Sequence, residues 1–502
     1  MVSLEGILKT QIQFKGSFIE GEWHKPERNS VTWEVTSPAN IDWVLPSPSF
    51  NFDLVPKAVG AGRAAKTNWA RLGLHQRVEK VRSFSLEIAK RADLISKLLS
   101  LETGKPLSES LAETDLLRSK TESLITEGLK FVSSQVLDLG SQGRGEIHYR
   151  PKGLVVVIGP MNLALSLPHG FITAALLSGN TVIFKPSEKT PLSAQVYAEA
   201  AEAAGFGPGV FQLLQGGPEM GSRLVRDTDV DGVVATCTFD VGTSIQKEMS
   251  QHPQRLLALH MGAKNAAIVW SGTQLDTCAE TLVRSAFMTT GQRCTALPRV
   301  YVEKSLIQPL VQKVHAAAKE LTISHPFDED PRPFMGPLMS SALKERFFRY
   351  TAIAEGEGAE VVMRSKSLDG QGTRLNRKPL PLGYYVTPSI HVVEKPNPKS
   401  AYQNHEIFGP DLFFCPIESL EEGISAVNSC GYGLAFSFFG GNEQIFHQVA
   451  NEIESGLVYW NRGTVGSLSR LPFGGWKKSG NHRPGGIFSL LTMAQVQTRI
   501  SL

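Results

Sequence analysis

Gly153-Leu154-Val155-Val156-Val157-Ile158-Gly159-Pro160-Met161-Asn162 is the stretch from which the fold can be read. Five apolar, mostly β-branched residues between Gly153 and Gly159-Pro160 have the length and composition of a buried strand. Similar short runs follow at Thr181 to Phe184, Val210 to Leu214 and Gly232 to Ala235, with helical patterns at Leu192 to Ala204 and Glu219 to Arg226. This βαβ rhythm predicts a mostly parallel, doubly wound α/β sheet of Rossmann type, whose ligand sits beyond the carboxyl ends of the strands. Upstream, Val78 to Leu101 puts Val78, Val81, Phe84, Ile88, Ile95, Leu98 and Leu99 on one helical stripe, with Leu86 and Leu94 off it. Helices of that kind flank a sheet. Downstream, a second α/β block runs from about Met261 to Tyr459, with strands near Arg299 to Val302 and Leu457 to Tyr459. The Pro/Gly-rich stretch Asp369 to Gly383 reads as a surface loop.

Composition fits a multidomain enzyme. A chain of 502 residues, 41% hydrophobic and 20% charged, can bury a large core and divides into two or three domains. A net charge of +3 against 51 basic and 48 acidic residues points to neither nucleic acid nor an anionic membrane. The five cysteines (Cys237, Cys278, Cys294, Cys415, Cys430) contain no CxxC pair and are odd in number. That argues against a disulfide framework or a zinc site, and for a reducing, cytoplasmic setting without a metal. Met1 to Phe18 lacks the continuous apolar core of a signal peptide, and the longest apolar run, Leu154 to Leu167, is broken by Pro160 and Asn162.

Chemistry enters with Gly291-Gln292-Arg293-Cys294-Thr295, a cysteine among small and polar residues just after the amphipathic run Leu282 to Thr290. A thiol in such a loop is available for reaction. The loop is one of several words in a fixed order. The others are Glu102-Thr103-Gly104-Lys105-Pro106, Gly159-Pro160-Met161-Asn162, Phe184-Lys185-Pro186-Ser187-Glu188, Glu406-Ile407-Phe408-Gly409-Pro410, Tyr432-Gly433-Leu434, and Pro472-Phe473-Gly474-Gly475 leading to Lys478-Ser479-Gly480. With these words the chain resembles the aldehyde dehydrogenase superfamily over nearly its whole length. The cysteine loop and the tail word Ser479-Gly480-Asn481-His482-Arg483-Pro484 look most like succinylglutamate-semialdehyde dehydrogenases.

The resemblance implies an NAD-binding domain over residues 1–142 and 153–260, a catalytic domain over 261–479, and a small β arm for oligomerisation over 143–152 and 480–502. A homodimer or tetramer is then expected. It also implies NAD-dependent oxidation of a small-molecule aldehyde, an amino-acid-derived semialdehyde, to the carboxylate. Cys294 attacks the carbonyl, hydride leaves for the nicotinamide, and a thioester remains to be hydrolysed. On residues alone Asn162 reads as a turn residue after Pro160. Its place in the family makes its amide an oxyanion donor beside the Cys294 backbone N–H, where losing one donor costs on the order of 3 kcal/mol of transition-state stabilisation.

For the cofactor, the family's adenosine ribose falls at Lys185, Ser187 and Glu188. A carboxylate at Glu188 can accept from both ribose hydroxyls but repels a 2′-phosphate, which favours NAD over NADP. Thr236 to Gly242 matches the pyrophosphate loop, with Thr238 and Gly242 at its helix start. Cys237 stands there in place of a glycine that would let the backbone come close. Glu406 and Phe408 match the nicotinamide-ribose positions.

His260 is the largest departure, because the family carries at this position the glutamate that activates the deacylating water. Ala263 and Ala266 depart beside it, for a glycine and a proline. Three readings stay open. With an unperturbed pKa near ~6.5 the histidine serves as base with a more acidic profile, or the thioester passes to another thiol, or the chain is a catalytically impaired nucleotide-binding member of the fold. For the carboxylates of a succinylated substrate, Arg293 and Arg483 are the candidate cations, with salt bridges inside the fold as the alternative use. Leu163-Ala164-Leu165 replaces the aromatic and proline residues that usually follow Asn162, so the entrance wall is expected to be reshaped.

Overall fold

Leu154–Ile158, buried up to Val157 and half-buried at Ile158, is an interior strand of a seven-stranded sheet in the computed structural model. The structure describes residues 13–25, 31–46, 49–368, 370, 379–466 and 468–501. Across the sheet the order is Leu256–His260, Gly232–Thr236, Leu154–Ile158, Thr181–Lys185, Phe211–Leu213, Ser17–Ile19 and Glu22–His24. The first five strands are parallel. The chain moves outward from Leu154–Ile158 on one side, then returns to build the other, so the strand order reverses between Leu154–Ile158 and Gly232–Thr236. Ligands of doubly wound sheets bind at such a reversal. Thr236 and His260 end their strands there.

The expected strands and the helices Pro191–Ala204 and Pro218–Arg226 lie within a residue of their predicted limits. The antiparallel pair Ser17–Ile19 and Glu22–His24, which extends the sheet, was not anticipated; a β-hairpin of three-residue strands carries too little periodicity to be seen. The stripe from Val78 to Leu101 is split into Leu74–Lys90 and Ala92–Thr103. Arg91 donates its N–H to Ile88 and accepts from Ile95, so one tight turn ends the first helix and starts the next without shifting the apolar face. That face is buried from Val81 onward and half-buried at Val78, while Leu86 is 57% exposed.

A second seven-stranded sheet, in the order Glu360–Met363, Ser389–Val392, Asp411–Ile417, Arg299–Glu303, Ala266–Val269, Ala435–Phe439 and Leu457–Trp460, is parallel except at its first pair. The predicted strands at Arg299 and Leu457 belong to it. A three-stranded antiparallel sheet pairs Arg144–Pro151 with Ala494–Ser501 along their full length and takes in Gln135–Asp138 on the other side, earlier than the expected arm begins. Of the Asp369 to Gly383 loop, Asp369 and residues 371–378 lie outside the described residues, as do residues 1–12 of the amino-terminal stretch. Among the described residues no helix is long and apolar enough to cross a membrane.

The stripe yields a direct test. Phe84 packs edge-on or tilted against His169, Tyr197, Phe206 and Phe211. Phe84→Ala should lower unfolding free energy by about 3–5 kcal/mol, and Leu86→Ala by less than about 0.5 kcal/mol, in urea denaturation followed by circular dichroism.

Candidate active site

Helix Leu275–Phe287 runs into a short irregular turn, Met288–Gly291, that delivers Cys294. Three consecutive residues there are left-handed: Thr289 at φ 57°, Thr290 at 55° and Gly291 at 70°. For β-branched threonine this backbone is unfavourable and needs outside support. Glu109, 7% exposed on helix Leu107–Thr126, supplies it. One carboxylate oxygen accepts the Thr289 N–H at 2.9 Å; the other accepts the Thr289 hydroxyl and the Arg293 guanidinium, the latter at 2.8 Å. Arg293 Nε also donates to Thr289 Oγ1 at 2.6 Å. A Cβ on Gly291 would come 2.2 Å from the Gly409 carbonyl oxygen, so only glycine lets this turn seat on the Glu406–Pro410 loop. Past the cysteine, Asn265 Nδ2 donates to the carbonyls of Cys294 and Ala296, both at 2.7 Å.

Asn162, 5% exposed, donates from Nδ2 to the Gln292 carbonyl at 2.9 Å, which ties the loop after Leu154–Ile158 to the cysteine loop. Its own carbonyl accepts from Lys105 Nζ at 3.1 Å. Lys105 is ion-paired with Glu113, both almost fully buried, and Glu113 also accepts the N–H groups of Leu165 and Ser166. Buried charge is stable only when compensated this fully. The word at Glu102 to Pro106 is thus structural in two ways, since the Glu102 carboxylate accepts the N–H groups of Leu192 and Ser193 at the start of helix Pro191–Ala204.

His260, 8% exposed, has its ring between Phe171 and Phe473. Nε2 lies 2.9 Å from the Arg483 carbonyl, which can only accept, so Nε2 carries the proton and Nδ1 the lone pair. The tail word sets this geometry. Asn481 accepts from Leu259 N–H and donates to the Leu257 carbonyl, acting as a strand partner, and Ser479 bonds Gly433 and Gly262. Burial, the largest cause, pushes the His260 pKa down to about 4; the Arg483 carbonyl opposes this, and Lys120 adds to it. The expectation of an unperturbed imidazole is therefore corrected: His260 is neutral at pH 7 and stays so well into the acid range.

Cys294 and His260 line one cavity of about 430 Å³, together with Glu109, Glu113, Lys120, Arg284, Arg293 and an apolar wall that includes Leu163, Leu167 and Phe171. Asn162 is not among the lining residues. Burial and then the charge of Glu406 push the Cys294 thiol up to about 11, against Arg293 and the backbone N–H groups of Cys294 and Thr295. Burial also lowers Lys120 to about 8, opposed by Glu113 and Cys294. Of the two expected carboxylate cations, Arg293 is committed to Glu109 by an ion pair at 2.8 Å. Arg483 has an exposed side chain and lines a separate cavity of about 300 Å³ on the other side of His260.

The cofactor positions are scattered around the carboxyl edge of the first sheet. Lys185, 4% exposed, ends its strand with Nζ 3.8 Å from Glu188, whose carboxylate is partly open; Ser187 Oγ accepts the Lys189 N–H. Such a carboxylate just beyond a strand beside Leu154–Ile158 fits a ribose diol. Thr238 caps helix Phe239–Met249 through the Val241 N–H, and Asp240 stands in its first turn. A Cβ on Gly242 would meet Met261 Sδ at 2.4 Å, so this glycine makes room for Met261. Glu406 accepts the Ala263 N–H at 3.0 Å, while Gly262 leaves it space, and Phe408 is left-handed at φ 61°.

Glu109, Glu113, Lys120 and Arg284 escaped the sequence reading. Glu109, Glu113, Leu117, Thr121 and Leu124 share the buried face of one helix, and carboxylates continuing an apolar stripe at four-residue spacing are the available signal.

Comparison with known proteins gives the family. Residues 23–499 match the model of the aldehyde dehydrogenase family. An N-succinylglutamate 5-semialdehyde dehydrogenase of Novosphingobium aromaticivorans is 34% identical over 87% of this chain and 89% of its own. One from a Caulobacter species is 32% identical over 94% of both. Among solved structures, lactaldehyde dehydrogenase from Escherichia coli superposes with a TM-score of 0.88 at 26% identity, covering 96% of this chain and 98% of that one. An NAD-dependent aldehyde dehydrogenase from Sinorhizobium meliloti shares the fold with a TM-score of 0.91 at 24% identity, over 99% and 96% of the two chains. The chain belongs to the aldehyde dehydrogenase family.

With the thiol near pH 11, alkylation of the cofactor-free protein by iodoacetamide at Cys294 should be slow at pH 7. It should rise about tenfold per pH unit to pH 9 without a plateau, since thiolate is the reacting form; mass spectrometry of the Cys294 peptide measures it.

Proposed function

We propose that this protein oxidises an aldehyde, an amino-acid-derived semialdehyde such as N-succinylglutamate 5-semialdehyde, to its carboxylate with NAD as oxidant. The observation that carries the reading is that His260, its Nε2 donating to the Arg483 carbonyl, lines the same cavity as the loop-borne Cys294. Cys294 Sγ, once deprotonated, attacks the aldehyde carbon, and the backbone N–H groups beside it stabilise the oxyanion; the Asn162 amide, bonded to the Gln292 carbonyl, would have to turn its second N–H into the cavity to join them. NAD, when bound, takes up the hydride. The thioester left on Cys294 is attacked by water, His260 Nδ1 accepts the water's proton, and Cys294 leaves as thiolate. A conjugate acid near pH 4 makes His260 about as strong a base as an ordinary carboxylate, whose reference pKa is about 4.3. The substitution therefore places a base that is neutral in its free form where the family carries a glutamate.

Lys185, Ser187 and Glu188 would hold the adenosine ribose, with Glu188 selecting NAD against NADP, and Glu406 and Phe408 the nicotinamide end. Thr238 and Gly242, at the amino end of helix Phe239–Met249, would meet the pyrophosphate. The free edge of Ala494–Ser501, where Val496 and Ile500 are 65% and 70% exposed, supports assembly into a homodimer or tetramer. Five free thiols support a reducing, cytoplasmic setting. Transfer of the acyl group to a thiol, or a silent nucleotide-binding role, is not favoured while a neutral base lines the Cys294 cavity.

The test is steady-state absorbance at 340 nm with N-succinylglutamate 5-semialdehyde. Continuous NADH formation at pH 7.5, at least about tenfold faster than with NADP and abolished in Cys294→Ala, is expected. A folded protein that reduces no NAD with any aldehyde would overturn the proposal.

A further inference from the structure

Four ionised side chains of opposite sign around the catalytic cavity cancel: Glu109 pairs with Arg293, and Glu113 with Lys105 behind the wall. Two cations are left over. Lys120 sits on the same helix as Glu109 and Glu113, partly buried, and among the described residues its ammonium donates only to the Ser166 carbonyl. Arg284 lies on helix Leu275–Phe287, near the end that leads to the cysteine loop, and its exposed side chain bonds none of the described residues. Both line a cavity walled by leucines and phenylalanines; for the more buried Lys120 an uncompensated charge there is costly, and a cation of either kind attracts an anion.

We infer that the cavity is built for an aldehyde bearing two carboxylates: Lys120 takes the carboxylate nearer the aldehyde, and Arg284, at the open side, takes the farther one. Lys120 is the inner site because it is the more buried and lies within electrostatic reach of Cys294 and His260. A carboxylate there turns an expensive lone cation into a pair. Arg284 is the outer site, because a guanidinium can hold a carboxylate in two-pronged fashion while still partly in water. The inference rests on the oxidation proposed above and replaces the two arginines named from sequence, of which one is already paired and the other faces a different cavity.

A ladder of three aldehydes separates the two sites: N-succinylglutamate 5-semialdehyde with two carboxylates, N-acetylglutamate 5-semialdehyde with one, and hexanal with none. In the native enzyme kcat/KM should fall at each step. Arg284→Ala should shrink the two-to-one step by about tenfold or more, and Lys120→Met the one-to-none step likewise, the loss expected for a hydrogen bond to a charged group; Lys120→Arg should restore part of the latter. If a variant fails to fold, salt on the native enzyme decides instead. Raising ionic strength from 0.02 to 0.5 M, about 0.02 and 0.5 M being well either side of effective screening, should lower kcat/KM for the dicarboxylate and spare hexanal. Equal kcat/KM for all three aldehydes, or unchanged steps in both variants, overturns the two-carboxylate site while leaving aldehyde oxidation intact. No turnover of any aldehyde overturns the oxidation itself.

Discussion

Glu109 is the contact on which the catalytic arrangement depends. A buried carboxylate from a helix of the first module accepts an N–H, a hydroxyl and a guanidinium from the turn that carries Cys294 in the second. Without such a partner, two threonines in left-handed conformation would relax and Cys294 would lose its orientation. The same contact commits Arg293, whose charge moderates the pKa of the neighbouring thiol. One side chain thus supports the turn that delivers the nucleophile and orients the cation beside it.

The rest of the cleft follows one rule, that charge inside a low-dielectric space is paired or is available for a ligand. Lys105 and Glu113 satisfy each other and hold the Asn162 loop. Glu102 is taken up by a helix start, at the cost of a pKa raised to about 8, chiefly by burial. His260 meets the rule by being neutral. Its ring sits between two aromatic rings and donates to a carbonyl, surroundings that would suit a carboxylate poorly. Those surroundings come from the tail, where Asn481 stitches itself to the strand that ends in His260, so the histidine and the tail word act as a unit.

Much of this was legible in the chain. The parallel strands around Leu154 and the loop of Cys294 are carried by local patterns, β-branched runs and a glycine-flanked turn, and local patterns survive folding. The charge pairs were not, because Glu109 and Thr289 are separated by 180 residues and nothing in either segment announces the other. For that reason the sequence leaves Arg293 open between a substrate cation and a salt bridge within the fold, and the structure shows the salt bridge. The split at Arg91 was hidden because it preserves the apolar face, and the shift in His260 because burial is a property of the packed structure.

Hydrolysis by a neutral histidine is the central claim, and the acyl-enzyme tests it most directly. Intact-protein mass spectrometry of enzyme quenched during turnover of saturating aldehyde and NAD should show native protein mostly unmodified and His260→Ala mostly carrying the acyl group on Cys294. A His260→Ala protein that turns over at the native rate with no acyl adduct would contradict the account.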